Sequence, residues 1–107
     1  VARFDNHGKK LSVPILINDE LHLPIAGHPR KKLQAELVSI SVHQGSTPTY
    51  GHYYSYIKQS INGQSYWLYC SDSYIQRIDK KSKTVVDDIQ KNGYLFFYTV
   101  KGIVNAE

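Results

Sequence analysis

His43 closes an apolar alternating run and His52 opens an aromatic one. Between them runs a loop with two glycines, one proline and three Ser or Thr residues, Gly45-Ser46-Thr47-Pro48-Thr49-Tyr50-Gly51. An imidazole at the mouth of a strand can be held by the sheet and still face a ligand lying in the loop. A polar neighbour behind such a ring fixes its tautomer and favours the imidazolium, which is the base-and-orienter half of a nucleophilic triad. Downstream, Asn62-Gly63 lies between the runs Tyr53–Ile57 and Tyr66–Tyr69, a strong hairpin signal. From His52 to that turn is about ten residues, and from the turn to Ser71 about eight. Near-equal arms predict that His52 and the Ser71-Asp72 break lie at the same end of the hairpin. Spacing alone leaves the ordinary alternative open, in which a histidine beside a polar residue is a surface or capping group.

The nucleophile is the missing part. Cys70 is the only thiol, and alternation points it to the sheet face opposite Ser71, as a buried structural thiol. Many serines are present, none in a nucleophile-elbow setting. His22, His28, His43 and His52 share no HxH or HxxxH spacing and there is no Cys-x-x-Cys, so neither a metal site nor a cofactor is expected.

The 107 residues make one small domain or a piece of a larger one. Nine Tyr and one Trp against three Phe suit a sheet with one exposed or ligand-facing side. Val1 to Phe4 reads as a strand end, and Leu11–Ile17 as an edge or irregular strand because Pro14 cannot donate to a ladder. Leu21–Ile25 is a further strand, followed by a loop at Ala26-Gly27-His28-Pro29. Leu33–His43 changes phase midway, which predicts a bulge or burial on both faces. Ser65–Cys70 returns from the hairpin, Ser71-Asp72-Ser73 interrupts it, and Tyr74–Ile78 resumes. Thr84–Lys91 is one short helix ended by Asn92-Gly93. Tyr94–Val100, apolar throughout, is a closing and central strand. The fold class is therefore α+β, mostly antiparallel sheet with one short helix.

The net charge is +4, and five of the thirteen basic residues sit in two clusters, Arg30-Lys31-Lys32 and Lys80-Lys81, beside turn signals. Solvated loop charge is the ordinary reading; a nucleic-acid patch is the alternative, and no recognition motif supports it. A single cysteine excludes an internal disulfide and fits a reducing, intracellular compartment, cytoplasmic or nuclear. No apolar run approaches the length of a membrane span. The start of the chain has neither a signal-peptide shape nor an initiator Met, as expected of a segment of something longer.

Leu37–Gly45 followed by Tyr50-Gly51-His52-Tyr53-Tyr54-Ser55-Tyr56 resembles the His box of the ubiquitin-specific proteases, a strand ending V-V-H-x-G, a variable loop, then G-H-Y-x-x-Y. Trp67-Leu68-Tyr69-Cys70-Ser71-Asp72 is similar to the family's W-x-x-F-N-D element, and Gly93–Tyr98 to its closing G-x-A-Y-x-L-F-Y. Arg3-Phe4 resembles its L-K-R-F strand. The resemblance covers nearly the whole chain, in order. It implies the sheet-rich palm lobe of a papain-like fold, with residues 1–107 as the C-terminal, His-box part. It implies hydrolysis of the bond after the C-terminal glycine of ubiquitin, with ubiquitin or a polyubiquitinated protein as partner.

His52 matches the family's general base. Gly45 to Tyr50 matches a blocking loop over the ubiquitin tail, and Gly51 permits close backbone approach to that tail. Tyr53 and Tyr94 match walls of the tail channel, with ordinary sheet packing as the alternative. Two departures stand out. The family's nucleophilic Cys belongs to an N-terminal lobe absent from this sequence, so the chain is expected to be inactive as an isolated fragment. The orienter, usually Asp or Asn, is Ser71 here, followed by Asp72; Ser accepts a hydrogen bond but brings no charge. A catalytically silent ubiquitin-binding module is the second reading, and a basic β-domain that binds nucleic acid the third.

Overall fold

The computed structural model describes residues 3–11, 17–48 and 50–106. Six strands, β1 (Glu20–Ile25), β2 (His28–Gln44), β3 (His52–Ile61), β4 (Gln64–Ser71), β5 (Tyr74–Ile78) and β6 (Gly93–Asn105), and one helix, α1 (Lys83–Asn92), build it. The strands form one antiparallel sheet ordered β1-β2-β3-β4-β5, with β6 on β2. The mostly antiparallel sheet with one short helix is the architecture expected from the sequence.

β2 is long enough to carry β1 on its first half and β3 on its second, with β6 along its other side. The phase change read in its sequence is a bulge. Leu37 pairs with Tyr98, Ser39 with Phe97 and Ile40 with Phe96, so Val38 is the extra residue. Tyr98 and Phe96 alternate onto one face of β6, which brings Leu37 and Ile40 onto one face of β2 despite their odd spacing. That face holds the core: Leu37, Ile40, Val42, Tyr54 and Tyr56, with Val85 and Ile89 of α1 packed onto it.

α1 forms because the Ser82 side chain accepts from Val85 N at its start, a contact that stabilises a helix by about 1 kcal/mol. Burial of Val85 and Ile89 adds roughly 1.5–3 kcal/mol each. Gly93 ends the helix for want of space. Its backbone is extended at φ −64°, and a Cβ there would lie 2.6 Å from Ile89 O and 2.9 Å from the Phe96 ring. The Arg3 guanidinium closes the same end, donating to Gly93 O and Gln90 O at 2.7 Å each. Burial lowers its pKa, and the helix-end carbonyls are where a cation is favoured.

Several local expectations are corrected. Ala26-Gly27 is a two-residue turn, with Gly27 at φ 78°, and β2 begins at His28, so Arg30-Lys31-Lys32 lies in a strand and not a loop. At Asp72-Ser73 the chain reverses, and β5 runs back along β4 in place of resuming it. Among the described residues β6 pairs with β2 alone, and Leu95 and Phe97 are exposed, so this strand is not central. Its apolar run was the wrong guide. Phe4 makes a single bridge to Lys10 around the turn at Asp5. The strand expected over 11–17 falls, from 12 to 16, outside the described residues, as do residues 1 and 2. Among the described residues no helix is long and apolar enough to cross a membrane.

Candidate active site

The Asn62-Gly63 turn sets the site's geometry. Asn62 at φ 52° and Gly63 at φ 78° both occupy the left-handed region, the pair of conformations a two-residue hairpin with matched twist requires. The turn fixes the register Ile61↔Gln64 through Ser55↔Cys70. One step further along that register, Ser71 lies beside Tyr54. His52 is two residues before Tyr54 and so shares its face, making Ser71 its diagonal cross-strand neighbour. His52 Nε2 and Ser71 Oγ are 2.5 Å apart, although nineteen residues separate them in sequence.

When Ser71 Oγ accepts from Nε2–H, Nδ1 keeps its lone pair and is the nitrogen that can take a proton. The ring is exposed on its other side, so it can be reached. Asp72 plays a different local part. It is the first residue of the β4–β5 turn, at φ 52°, a conformation Asp tolerates better than most residues. The hydrogen bond of His52 goes to Ser71. Cys70 pairs with Ser55 and Ile75 and points, by alternation, to the face away from His52 and Ser71.

His52 is also held from behind. Its ring stacks on that of Tyr54, centroids 5.5 Å apart and planes 29° apart. The Tyr54 hydroxyl donates to Asp88 Oδ2 of α1 at 2.6 Å, and Tyr56 donates to the same oxygen at 2.7 Å. Burial, reinforced by the Asp88 carboxylate, pushes both phenols far above their ordinary pKa, so both remain donors. Asn92 Nδ2 donates to the other Asp88 oxygen at 2.8 Å. Lys10 Nζ donates to Asn92 Oδ1 and, at 3.0 Å, to His43 O; burial lowers its pKa.

The loop ahead of His52 is closed at its base by two glycines. A Cβ on Gly45 would sit 2.6 Å from Tyr50 O and 2.7 Å from Gly51 Cα. A Cβ on Gly51, at φ 129°, would strike Gln44 O and lie 2.8 Å from His43 Nε2. The close approach at Gly51 is thus to its own loop. His43 is buried, and its Nε2 donates to Tyr50 O at 3.1 Å, tying the two ends together. The sequence marked His43 only as a loop flank; its place in the alternation after Val42 was the signal for a role on the second face. His43 Nδ1 is buried without a partner among the described residues.

Tyr53 lies 4.4 Å from the His43 ring, donates to Pro48 O at 3.1 Å and remains 52% exposed. Tyr94 is the extra residue of a second bulge, where Ser41 pairs with Leu95 and Val42 with Gly93. The bulge re-aims its ring toward Tyr53, 6.0 Å away. Arg3, Phe4, His43, Pro48, Tyr53 and Tyr94 line a cavity of about 190 Å³. Tyr50, 76% exposed, stands on the loop, its N–H bonded to Thr47 Oγ1. The structure therefore gathers His52 with Ser71 on the helix face and Tyr53 with Tyr94 on the other, joined through the loop of Gly45, Tyr50 and Gly51. No cluster of three potential metal ligands occurs among the described residues.

This arrangement has counterparts in known proteins. The chain is 31% identical over 64 residues to ubiquitin carboxyl-terminal hydrolase 25 of Arabidopsis thaliana, a match covering 60% of this chain and 8% of that protein. It is 29% identical over 63 residues to ubiquitin carboxyl-terminal hydrolase 14 of Saccharomyces cerevisiae, covering 59% and 7%. A chain of the solved SAGA Ubp8/Sgf11/Sus1/Sgf73 DUB module superimposes with a TM-score of 0.66 at 26% identity, over 90% of this chain and 20% of that one. The chain thus spans a small part of each relative's length. The family model for ubiquitin carboxyl-terminal hydrolases matches residues 1–98, nearly the full sequence, and the chain belongs to that family, among the ubiquitin-specific proteases.

Proposed function

We propose that the protein is a thiol-dependent deubiquitinase that hydrolyses the bond after the C-terminal glycine of ubiquitin, and that these residues supply its general base and orienter. The supporting observation is the His52–Ser71 contact at an open sheet end, beside a glycine-closed loop, in a chain of this family. In this reading Ser71 holds Nε2 and His52 Nδ1 takes the proton of a cysteine thiol. The thiolate attacks the carbonyl carbon, and the imidazolium returns the proton to the departing amine. Water then attacks the thioester, with His52 again as base, and frees the ubiquitin carboxylate. The thiol comes from outside these 107 residues, because Cys70 faces away from His52. Tyr53 and Tyr94, with the loop of Gly45, Tyr50 and Gly51, guide the ubiquitin tail to it. The free Cys70 thiol fits a reducing compartment, and we place the protein's work in the cytoplasm or nucleus.

The test is His52→Ala in the full-length protein, assayed on a ubiquitin C-terminal reporter. Loss of a general base should lower turnover by about 10²–10⁴-fold. Turnover at the parent rate would remove His52 from the reaction. A ubiquitin probe with an electrophilic C-terminus separates the remaining reading: binding without covalent capture would identify a catalytically silent ubiquitin-binding module.

A further inference from the structure

Ser71 is a neutral orienter. It can fix the ring of His52 but lends little to the imidazolium's charge. The charged and titratable groups around His52 come from four places. β4 and its turn bring Ser71 and, on the exposed turn, Asp72. β3 brings Tyr54, with Tyr56 behind it. α1 brings Asp88, which reaches the site through the two phenols. The N-terminal segment brings Lys10, bound to Asn92 and close enough to Asp88 to feel its charge. Tyr69, 5.1 Å from Tyr54, and Tyr74, 6.1 Å from Tyr69, extend the aromatic cluster.

Resting on the catalytic reading above, we propose that Tyr54 and Asp88 are positioning residues that stabilise the charged form of His52, in place of the charge Ser71 lacks. A ring 5.5 Å away and tilted by 29° presents its π face to the imidazole, within the range where a cation is attracted by a ring's quadrupole. The Tyr54 hydroxyl donates to a carboxylate, which draws the phenol proton outward and enriches the ring facing His52. Asp88 accepts three hydrogen bonds, from Tyr54, Tyr56 and Asn92, and these hold the carboxylate in place. Tyr54 is itself buried and cannot swing away. The result is a route by which a helix carboxylate supports an imidazolium it does not touch.

The experiment is the ¹³C-histidine NMR titration of His52 in the full-length protein, its signal assigned by its disappearance in His52→Gln, alongside the pH profile of kcat/KM on the ubiquitin reporter. Tyr54→Leu removes the π face and should lower the His52 pKa by about half a pH unit, with the alkaline limb of kcat/KM moving down by the same amount. Tyr54→Phe keeps the ring and cuts the link to Asp88; it should lower the pKa by a smaller step, matched by Asp88→Asn. Tyr54→Phe also keeps the core filled, so the proposal stays testable if Tyr54→Leu does not fold. A His52 pKa unchanged in Tyr54→Leu, or in Tyr54→Phe should Tyr54→Leu not fold, overturns the proposal, as does a fall in kcat with both pH limbs fixed. A shifted pKa in a protein without turnover would support the Tyr54–Asp88 role and refute the catalytic reading on its own.

Discussion

Which residue orients His52 can be decided by charge and by position, and the two give opposite rankings. Ser71 touches the ring without a charge; Asp72 carries a charge on the turn. Ser71→Ala deletes a neutral hydrogen bond, an interaction of about 0.5–1.5 kcal/mol, or roughly two- to thirteenfold in rate if all of it serves orientation. Because the ring is exposed on one side, the expected loss in kcat/KM is toward the low end, about threefold to fivefold. Asp72→Asn removes the charge while keeping a residue that accepts a positive φ, so the turn survives. With solvent screening between them, its cost should be under about twofold. Ser71→Asp puts a carboxylate where the hydroxyl now sits. At about 4 Å the attraction is roughly 1 kcal/mol in water and 4 kcal/mol at an effective dielectric of 20, and this open site lies near the first value. The His52 pKa should rise by about one unit, and the alkaline limb of the kcat/KM profile with it. These rates are read on the ubiquitin reporter with the full-length protein. A larger loss from Asp72→Asn than from Ser71→Ala would refute the geometric assignment and make Asp72 the orienter.

Three further outcomes follow from the same structure. Gly51→Ala meets Gln44 O, His43 Nε2 and Gly45 Cα at once in a positive-φ conformation, so thermal unfolding should show a loss of about 2–3 kcal/mol, and turnover should fall more than stability explains because His52 is the next residue. Cys70→Ser should leave kcat/KM within about twofold and covalent capture by an electrophilic ubiquitin probe intact, since the thiol faces away from His52. Glu36 is held below the usual carboxylate range, first by its hydrogen bond from Lys58 and then by that from Lys101, so its stabilising effect is present above its unfolded value near 4.5 and lost as pH falls through the lower folded value. The melting temperatures of the parent and Glu36→Gln should therefore differ at pH 7 and draw together as pH falls below 4.5, and a gap that does not narrow there would refute the pairing.

The meander around the hairpin was legible because its signals are local. Asn62-Gly63 needs two positive φ angles whatever surrounds it, and strand alternation then carries the register to Ser71 without further information. Capping is similarly local, so Ser82 and Gly93 bounded α1 within a residue or two of its expected span. What the sequence hid were contacts whose partners lie far along the chain. Arg3 closes the helix end at Gly93, ninety residues away, and no spacing rule connects them. Gly51 showed a demand for a missing side chain, but a glycine does not say which backbone approaches it, and here the approach is Gln44 and Gly45 of its own loop. Asp72 drew notice for its charge, while the backbone uses it for its tolerance of a left-handed turn. β6 misled for a related reason. An apolar run reports that both faces of a strand avoid water, and it is silent on which edges are paired. Leu95 and Phe97 are exposed among the described residues while Phe96 and Tyr98 pack on the core, so the same run carries one face for the core and another left exposed. The Tyr54–Asp88 link is the extreme case. It requires the hairpin register, the helix phase and the stacking of His52 to be right together, and each is set by a different stretch of chain.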